Sequence, residues 1–307
     1  MDVTVSRDCV LCGSTSKDIV YEAQLPERLD ERTLHYTYNS KTTSNTWRYR
    51  VVRCKGCGHK YPDPVYSQET LENSYLGQDH DNEFGIDRKI LLKTHEGYGR
   101  IVEPFLPKER RLQIDIGCDT GLFLQATRRL GFKRAVGIEP GVASAKRAAE
   151  VSGIEVMQKI FAPSDFPGES VDFASLIHVL DHLADPRKVI RELKPTLSKD
   201  GIVLGVVHNI ESVISKVSGK SWPPLGLLHM DYYGPDSLSR LFEVEGYKVL
   251  AVVGTKNYFP LSHLIRMTPF LTPKLRGALF QTVERPPLKS LVLGLMLGNI
   301  AVVARRS

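Results

Sequence analysis

The sequence predicts an α/β fold, because strand-like and helix-like segments alternate around a glycine-containing turn. Residues 112–116 alternate apolar and polar side chains, as a short strand at the edge of a core does. Gly117 and Gly121 then break the strand, and residues 122–130 place leucine and alanine at helical spacing. A strand, a glycine turn and a helix present backbone N–H groups to a ligand in open α/β sheets. The segment therefore predicts a site for a phosphate- or nucleotide-like ligand.

Two acids narrow the kind of ligand expected at this turn. Asp115 lies near the end of the first strand, and Glu139 ends the next apolar strand. An acid at the second position can accept hydrogen bonds from both ribose hydroxyls of a nucleoside. The dinucleotide pattern G-x-G-x-x-G is disfavoured because two of its glycine positions hold Asp119 and Leu122. The pattern acid-x-G-x-G-x-G departs only at Asp119, and aspartate tolerates left-handed backbone angles.

Two segments resemble those of a known family. Residues 112–121 resemble motif I of class I S-adenosylmethionine (SAM)-dependent methyltransferases, and Glu139 resembles their ribose-binding acid. Residues 177–205 resemble a second segment of these enzymes, with Asp181 in place of a glutamate and an Asp-Gly pair in place of two glycines. The resemblance implies a seven-stranded, Rossmann-like, mostly parallel sheet with helices on both faces. It also implies an enzyme that transfers a methyl group from SAM.

The resemblance assigns site residues at the positions that match the family's motifs. The expected cofactor-binding residues are Asp115, Gly117, Cys118, Asp119, Gly121, Glu139, Phe161, Asp165 and His178. Among them, Phe161 and Asp165 lie in the loop where the family usually places the adenine. The expected catalytic residues are three histidines, His178, His182 and His229. Histidines at these positions could act as a general base or orient a ligand.

The histidines also have structural interpretations. The spacing of His178 and His182 predicts that they share one face of a helical turn near the cofactor. In the competing interpretation, His182 is a structural residue paired through Asp181. His208 follows the fifth predicted strand, where the family commonly has proline. It is therefore a departure at the rim of the expected active site.

Four of the five cysteines form two C-x-x-C pairs, each followed by a glycine that permits a tight turn. They are Cys9 with Cys12 and Cys54 with Cys57. Four thiolates would complete a closed tetrahedral zinc site with a structural role, and four free thiols are the alternative. The pairs predict a zinc ribbon, with a strand over residues 42–52 and His59 at the surface. Such cysteine usage favours a reducing compartment, so the predicted location is the cytoplasm.

Composition and charge exclude some classes of protein. The 307 residues are 42% hydrophobic and 25% charged, which is ordinary for a globular protein. No signal peptide is expected, and no apolar run reaches the roughly 20 residues that span a bilayer. The net charge of +6 is concentrated from Lys256 onward, where eight Lys or Arg residues accompany one acid, Glu284. This region suits an anionic ligand or surface, or is a solvated basic face.

The predicted organisation has four parts. Residues 1–65 form the zinc-ribbon module, 66–110 a helical linker and cofactor lid, 111–255 the SAM-binding core, and 256–307 a basic cap with a final strand. Three prolines in the cap predict short helical turns rather than one long helix.

The resembling enzymes include those of sugar C-methylation and of natural-product or cell-envelope tailoring. The expected acceptor is therefore a small molecule, a sugar nucleotide or a lipid-linked compound, in some cases anionic. An RNA methyltransferase that uses the ribbon and the basic region is one alternative, and a non-catalytic scaffold is another. Nucleic acid is the less favoured partner, because the ribbon does not interleave Lys and Arg with aromatic residues.

Overall fold

The computed structural model describes residues 4–26, 47–67, 86–168, 170–268 and 271–307. Its N-terminal part contains five short strands. They are β1 (Thr4–Val5), β2 (Lys17–Tyr21), β3 (Val51–Cys54), β4 (Lys60–Pro62) and β5 (Val65–Tyr66). β2, β3 and β4 form an antiparallel sheet, and β1 pairs antiparallel with β5. Of the strand predicted over residues 42–52, residues 42–46 lie outside the described part, and β3 begins only at Val51.

The remaining helices and strands follow in chain order. They are α1 (Arg88–Val102), β6 (Leu112–Ile116), α2 (Leu122–Thr127), β7 (Arg134–Ile138), α3 (Val142–Ser152), β8 (Glu155–Met157), β9 (Val171–Ile177), α4 (Pro186–Leu193), β10 (Leu197–His208), α5 (Val213–Ser218), α6 (Pro235–Glu243), β11 (Tyr247–Gly254), β12 (Asn257–Pro260), α7 (Leu261–Met267), α8 (Pro273–Val283), β13 (Val292–Leu295) and β14 (Asn299–Arg306). Residues 68–85 of the predicted helical linker lie outside the described residues.

Seven strands form one sheet in the order β11-β14-β10-β9-β6-β7-β8. The five strands β10, β9, β6, β7 and β8 run parallel to one another. β14 runs antiparallel to both β10 and β11. The predicted seven-stranded, mostly parallel sheet is therefore confirmed, and its final strand in the chain, β14, runs antiparallel to its neighbours. The parallel strands bring their carboxyl ends to one edge, which is where ligands bind in open α/β sheets.

Helices cover both faces of this sheet, as β10 shows. Its side chains alternate between the faces, because successive residues of a strand point in opposite directions. Ile202, Leu204 and Val206 pack in one apolar cluster with residues of α1 and α2. Val203 and Val207 pack in a second cluster with residues of α4 and α6. The central strands are thus buried on both sides and hold the functional edge rigidly.

The Asp200-Gly201 pair, which stands in place of the family's two glycines, lies within β10. The register between β10 and β9 shifts between Leu197 and Ile202, so the strand is irregular at this point. A β-carbon at Gly201 would lie 2.9 Å from the carbonyl oxygen of Ser198, closer than such atoms can approach. The glycine is therefore required by the irregular pairing and fixes the register of the residues that follow.

The segment after β9 is not helical, so the prediction that His178 and His182 share a helix face was wrong. His178 has a φ of 55°, in the left-handed region, and turns the chain away from the strand. Helix α4 begins only at Pro186, where the Asp185 carboxylate accepts a hydrogen bond of 3.0 Å from the Lys188 N–H. Proline at the first position and aspartate at the cap both favour a helix start here rather than earlier.

In the C-terminal region, two of the three prolines on which the prediction of short turns rested lie at helix starts, and the third, Pro269, lies outside the described residues. Pro260 is the cap of α7 and Pro273 is the first residue of α8, and proline is well tolerated at such positions. β12 and β13 pair antiparallel in a two-stranded sheet that the sequence pattern did not predict. In the part of the chain that the structure covers, every helix is too short or too polar to cross a bilayer.

Candidate functional site

The glycine turn adopts the left-handed backbone that its residue types suggest. Gly117, Asp119 and Gly121 have φ values of 69°, 43° and 73°. The Gly117 N–H donates to the carbonyl of Ile138 over 2.7 Å, which fastens the turn to the end of β7. A β-carbon at Gly121 would lie 3.2 Å from the Ala148 carbonyl oxygen, so glycine allows α2 to start close to α3. The turn is thus held on both sides.

Glu139 links the turn to the second strand of the unit. Its Oε2 accepts a hydrogen bond of 3.0 Å from the Asp119 N–H, and its Oε1 accepts one of 2.8 Å from the Gly141 N–H. The side chain is buried, and this burial raises the pKa of the carboxyl group above its ordinary value. Each oxygen keeps a lone pair that can accept a further hydrogen bond, as ribose recognition requires.

Asp115 places a second buried carboxyl group beneath the turn. Its Oδ1 accepts a hydrogen bond of 2.6 Å from the Ser175 hydroxyl. Burial raises the pKa of Asp115 to about 7, and the nearby charges of Glu139 and Asp119 raise it further than burial alone would. A positively charged group beside these carboxylates would lower the cost of their ionisation. SAM carries a sulfonium and an ammonium group, so the acids around the turn fit it.

The expected adenine contacts lie in the loop between β8 and β9. Phe161 is buried and stacks on Phe166, with ring centroids 6.2 Å apart. Asp165 Oδ1 accepts a hydrogen bond of 2.6 Å from Lys159 Nζ. Ile160, which was not among the residues predicted from the sequence, keeps 73% of its surface exposed next to Phe161. An exposed branched apolar side chain at this edge of the sheet offers a surface for a flat ring.

Cys118 contributes to the turn through its backbone rather than its thiol. The side chain is buried with Leu124 and Ala148. A β-carbon at Gly137 would lie 2.6 Å from Cys118 Sγ, so the thiol packs closely against β7. Burial raises the pKa of Cys118 far above the ordinary value for a thiol, and the thiol is therefore neutral.

The three histidines predicted as catalytic lie together, and a fourth joins them around one aspartate. The group comprises Asp181, His178, His182, His208 and His229. His208 Nδ1 lies 2.9 Å from Asp181 Oδ2, and His229 Nε2 lies 3.9 Å from the same oxygen. The ring centroids are 4.7 Å apart for His178 and His208, 4.3 Å for His182 and His229, and 5.0 Å for His208 and His229. We call these five residues the histidine cluster.

Several elements bring the histidine cluster to the carboxyl edge of the sheet. His178 follows β9 directly, and His208 is the last residue of β10. The Met230 N–H donates to the Asp181 carbonyl over 2.7 Å, which places the adjoining His229 beside the aspartate. Val179 contacts the glycine turn so closely that a β-carbon at residue 117 would lie 2.6 Å from its Cγ2. The cluster therefore adjoins the turn expected to bind the cofactor.

Asp181 and His208 are the members of the cluster that the sequence did not select as site residues. The substitution of histidine for the family's proline was the one signal that could have identified His208. The suggested pairing of His182 with Asp181 is not the arrangement found. His182 Nδ1 donates instead to the carbonyl of Leu228 over 3.0 Å, and His208 takes the direct contact with Asp181.

Burial and charge set the protonation states within the cluster. Burial lowers the pKa of His178 to about 3 and holds that of His229 well below its ordinary value, so both rings are neutral. Burial alone would raise the pKa of Asp181, but the His208 hydrogen bond and the neighbouring imidazoles hold it well below its usual range. Asp181 is thus a buried carboxylate surrounded by imidazoles.

The four cysteine sulfur atoms of the two C-x-x-C pairs converge on one point. Each lies within 4.8 Å of the others in the group Cys9, Cys12, Cys54 and Cys57. The Cys9–Cys57 and Cys12–Cys54 sulfur distances are both 3.5 Å. A tetrahedral zinc ion with sulfur ligands at 2.3 Å would require sulfur atoms about 3.8 Å apart. The arrangement therefore fits one such ion, and the distances exclude disulfide bonds.

Glycines shape both halves of this site. The Gly13 N–H donates to the Cys9 carbonyl over 2.7 Å, and the Gly58 N–H donates to the Cys54 carbonyl over 2.9 Å. Both glycines have positive φ values, of 71° and 78°. These turns fold each C-x-x-C pair so that both of its sulfur atoms point to the same side.

The N-terminal strands pack directly against the segment that carries His229. His59, predicted to be a surface residue, is buried, and its Nε2 lies 2.8 Å from Asp231 Oδ1. The Tyr232 N–H donates to the Lys60 carbonyl over 3.0 Å, and the Arg7 guanidinium donates to the Met230 carbonyl. These contacts therefore link the module that carries the four cysteines to the segment that carries His229 of the histidine cluster.

Comparison with known proteins identifies the family. A family model described as a methyltransferase domain matches residues 92–252. The tRNA U34 carboxymethyltransferase of Campylobacter hominis is 29% identical over 108 residues, which cover 34% of this chain and 38% of the relative. The ubiquinone biosynthesis O-methyltransferase of Dinoroseobacter shibae is 29% identical over 172 residues, covering 52% of this chain and 68% of that protein. The chain thus spans well under half of the first relative's length.

A solved structure shares the fold. It is the complex between the Haloferax volcanii Trm112 methyltransferase activator and a chain assigned as a methyltransferase, with a TM-score of 0.50 and 19% identity. The alignment covers 71% of this chain and 92% of that one. The family match spans more than half of the chain and contains both the glycine turn and the histidine cluster. The chain therefore belongs to the methyltransferase domain family.

Proposed function

We propose that this enzyme transfers the methyl group of SAM to a small organic acceptor whose nucleophilic atom must lose a proton. The observation that carries the proposal is the Asp181–His208 pair, which lies at the strand ends beside the glycine turn. A methyltransferase whose acceptor is already a free nucleophile needs only alignment and exclusion of water. A buried carboxylate that orients an imidazole supports the additional removal of a proton.

The cofactor side of the proposed site is formed by the turn and its acids. Glu139 would accept the ribose hydroxyls, while Asp115 and Asp119 would face the positively charged end of the cofactor. Bound SAM supplies an activated methyl group on a sulfonium, which is already a good leaving group. The protein then has to fix the direction of attack, and the rigid ends of β6 and β7 serve that purpose.

The acceptor side is formed by the histidine cluster. The His208 Nδ1–H donates to Asp181, which leaves Nε2 as a lone-pair acceptor on a side chain that is 30% exposed. In the proposed reaction the acceptor X–H gives its proton to His208 Nε2 as a bond forms between X and the methyl carbon. The carbon–sulfur bond breaks, and its electron pair stays on sulfur.

Replacement of His208 tests this assignment. We expect His208→Gln to lower kcat about 100-fold, the lower range for loss of a general base, while SAM affinity and melting temperature change little. His263→Gln is the matched control, since His263 lies in α7, stacks on Phe259 and has no place in the cluster. Turnover is measured as formation of S-adenosylhomocysteine on an acceptor found by screening. An equal kcat for both variants would contradict the assignment.

Replacement of the acids at the turn tests the cofactor side. We expect Glu139→Ala to weaken SAM binding by about 1–3 kcal/mol, because the ribose hydroxyls lose their acceptor. Asp119→Ala should also weaken binding, whereas Asp119→Gly should cost less because glycine keeps the left-handed turn. Isothermal calorimetry measures each affinity. If Glu139→Ala binds SAM as the wild type does, Glu139 does not contact the cofactor.

We also propose that the four-cysteine site holds zinc with a structural role. Four thiolates leave no open coordination position, so the ion would stabilise the fold and take no part in methyl transfer. Its support is the sulfur spacing and the two glycine turns described above.

An RNA acceptor is a second candidate, favoured by the names of the curated relatives that act on tRNA. Three basic side chains of the N-terminal module argue against RNA binding there, because they are already engaged in contacts within the protein. Arg7 donates to the Ala184 carbonyl, and Lys17 and Arg50 both contact Asp63. Turnover of bulk tRNA that falls steeply with salt would favour RNA. Turnover of hydroxylated small molecules or their lipid- or nucleotide-linked forms would favour the first proposal.

A further inference from the structure

We infer that Asp181, His182 and His229 form a binding site for a divalent transition-metal ion beside the glycine turn. Two imidazoles and one carboxylate are a donor set that binds catalytic metal ions in many enzymes. The role of this ion in methyl transfer rests on the proposed function, whereas its binding can be tested without any acceptor.

The spacing of the three side chains suits one ion. Each offers a ligand atom within 4.8 Å of the others, and His229 Nε2 is 3.9 Å from Asp181 Oδ2. Ligands at about 2.1 Å from a metal ion lie roughly 3.0–3.4 Å from one another. Small side-chain rotations that move each ligand atom by less than about 1 Å would therefore bring the three ligands to metal-binding distance.

Buried polar atoms at this point need partners. Both nitrogens of His229 and Asp181 Oδ1 are buried, and no residue in the described ranges forms a hydrogen bond with them. A buried polar atom without a hydrogen-bond partner carries a cost in stability, and three such atoms lie together here. An ion bound by His229 Nε2 and the Asp181 carboxylate would accept their lone pairs and remove most of this cost.

The surrounding hydrogen bonds already orient the ligands. The His182 Nδ1–H donates to the Leu228 carbonyl over 3.0 Å, which leaves a lone pair on His182 Nε2. His208 Nδ1 lies 2.9 Å from Asp181 Oδ2 and so holds the carboxylate in place. Contacts of this kind fix the tautomer and direction of metal ligands in known sites. Because His182 is exposed, the ion can reach the site from solvent.

The donor set indicates the class of metal and its use. Imidazole and carboxylate suit zinc, iron, nickel or manganese, and three protein ligands leave positions open for an acceptor oxygen. A hydroxyl bound to such an ion loses its proton more readily. His208 would receive that proton, so the acceptor class becomes a hydroxyl that can reach the ion and the methyl group together. The four thiolates are a separate, closed site.

Cobalt titration of the full-length chain distinguishes the two sites. One equivalent of Zn²⁺ is added first and is taken by the thiolates, and Co²⁺ is then titrated. We expect the wild type to bind one further Co²⁺ per chain, with visible d–d absorption but without the near-ultraviolet band of a cobalt–thiolate bond. His182→Gln and His229→Gln should each weaken this binding more than about 100-fold, since even outer-shell partners contribute 10–100-fold.

His263→Gln serves again as the control and should bind Co²⁺ as the wild type does. The melting temperature of each variant establishes that it is folded, and the exposed position of His182 makes that substitution the mildest. The inference is overturned if zinc-loaded wild type binds no Co²⁺, if the bound Co²⁺ shows a thiolate band, or if His182→Gln binds Co²⁺ normally. SAM affinity of the same samples is measured by calorimetry. If the wild type binds SAM but no Co²⁺, only the metal site is refuted. If the wild type does not bind SAM, the proposed function is refuted.

Discussion

Removal of the metal from the four-cysteine site is expected to unfold the N-terminal module and to loosen the histidine cluster. Structural zinc sites release about 10–16 kcal/mol on binding, and this energy is available for folding. The module's strands are short, from two to five residues, so they supply little stability of their own. Cys54→Ser should therefore have the same effect as a chelator.

The effect should extend beyond the module because of its contacts with the core. His59 and Asp231 form a buried pair, and the Lys60 carbonyl accepts from the Tyr232 N–H. When the module unfolds, Asp231 loses a partner in the interior, and the segment that carries His229 loses its backbone contact. An uncompensated buried carboxylate is strongly destabilising.

Hydrogen exchange measures this extension directly. Peptides covering residues 226–233 should exchange faster in Cys54→Ser, while those covering β6 and β7 should not. Cys118→Ala is the matched control, since Cys118 is the one cysteine outside the C-x-x-C pairs. Colorimetric zinc release should give one ion per chain from wild type and Cys118→Ala, and less from Cys54→Ser. Unchanged exchange at residues 226–233 after chelation would contradict the proposed connection.

Replacement of Asp115 by Asn is expected to stabilise the ligand-free protein at neutral and alkaline pH. The pKa of Asp115 is raised to about 7 from 3.8, first by burial and then by the charges of Glu139 and Asp119. The stability that this carboxyl group provides is therefore fully present below pH 3.8 and is lost as the pH rises through 7. The rise in pKa from 3.8 to about 7 corresponds to a loss of about 4 kcal/mol in the free energy of unfolding at pH 8.

Asparagine removes the ionisation and keeps the shape of the side chain. Its Oδ1 can still accept the hydrogen bond from the Ser175 hydroxyl. The gain in melting temperature should be small at pH 4, should grow between pH 4 and 7, and should then level off. SAM affinity should fall in the same variant, because the negative charge near the positively charged end of the cofactor is lost. Stability and cofactor binding thus move in opposite directions.

Asp172→Asn is a control for which the expected change in stability at pH 8 has the opposite sign. Burial alone would raise the pKa of Asp172, but its hydrogen bonds with Arg111 lower it below the ordinary value. The Asp172 carboxylate therefore contributes stability when the pH is above its ordinary pKa of 3.8, and this contribution is lost as the pH falls. Asp172→Asn should accordingly destabilise the protein at pH 8. Differential scanning calorimetry from pH 4 to 8 compares the two variants. A constant difference between Asp115→Asn and wild type across this range would show that Asp115 does not titrate within it.

Backbone turns that are set by residues close together in the chain could be predicted from the sequence. The glycine turn and the C-x-x-C pairs are local patterns, and the structure folds both as predicted. The Asp181–His208 pair was not predictable, because it depends on the register between β9 and β10. That register is set by the irregular pairing at Gly201, and no local pattern in the sequence predicts this irregularity. His59 was misplaced for a similar reason, since its partner Asp231 lies 172 residues away in sequence.

The position of β14 has a consequence for synthesis on the ribosome. β14 lies between β10 and β11 and is the only described strand that joins β11 to the sheet. Its residues 300–304 are all buried. Until residues 299–306 leave the exit tunnel, β10 exposes an unpaired apolar edge and β11 has no neighbour. Pairings of such long sequence separation form slowly. The nascent chain therefore keeps the β10 edge of the sheet open until β14 is available, and an open apolar edge favours association with other chains during that interval.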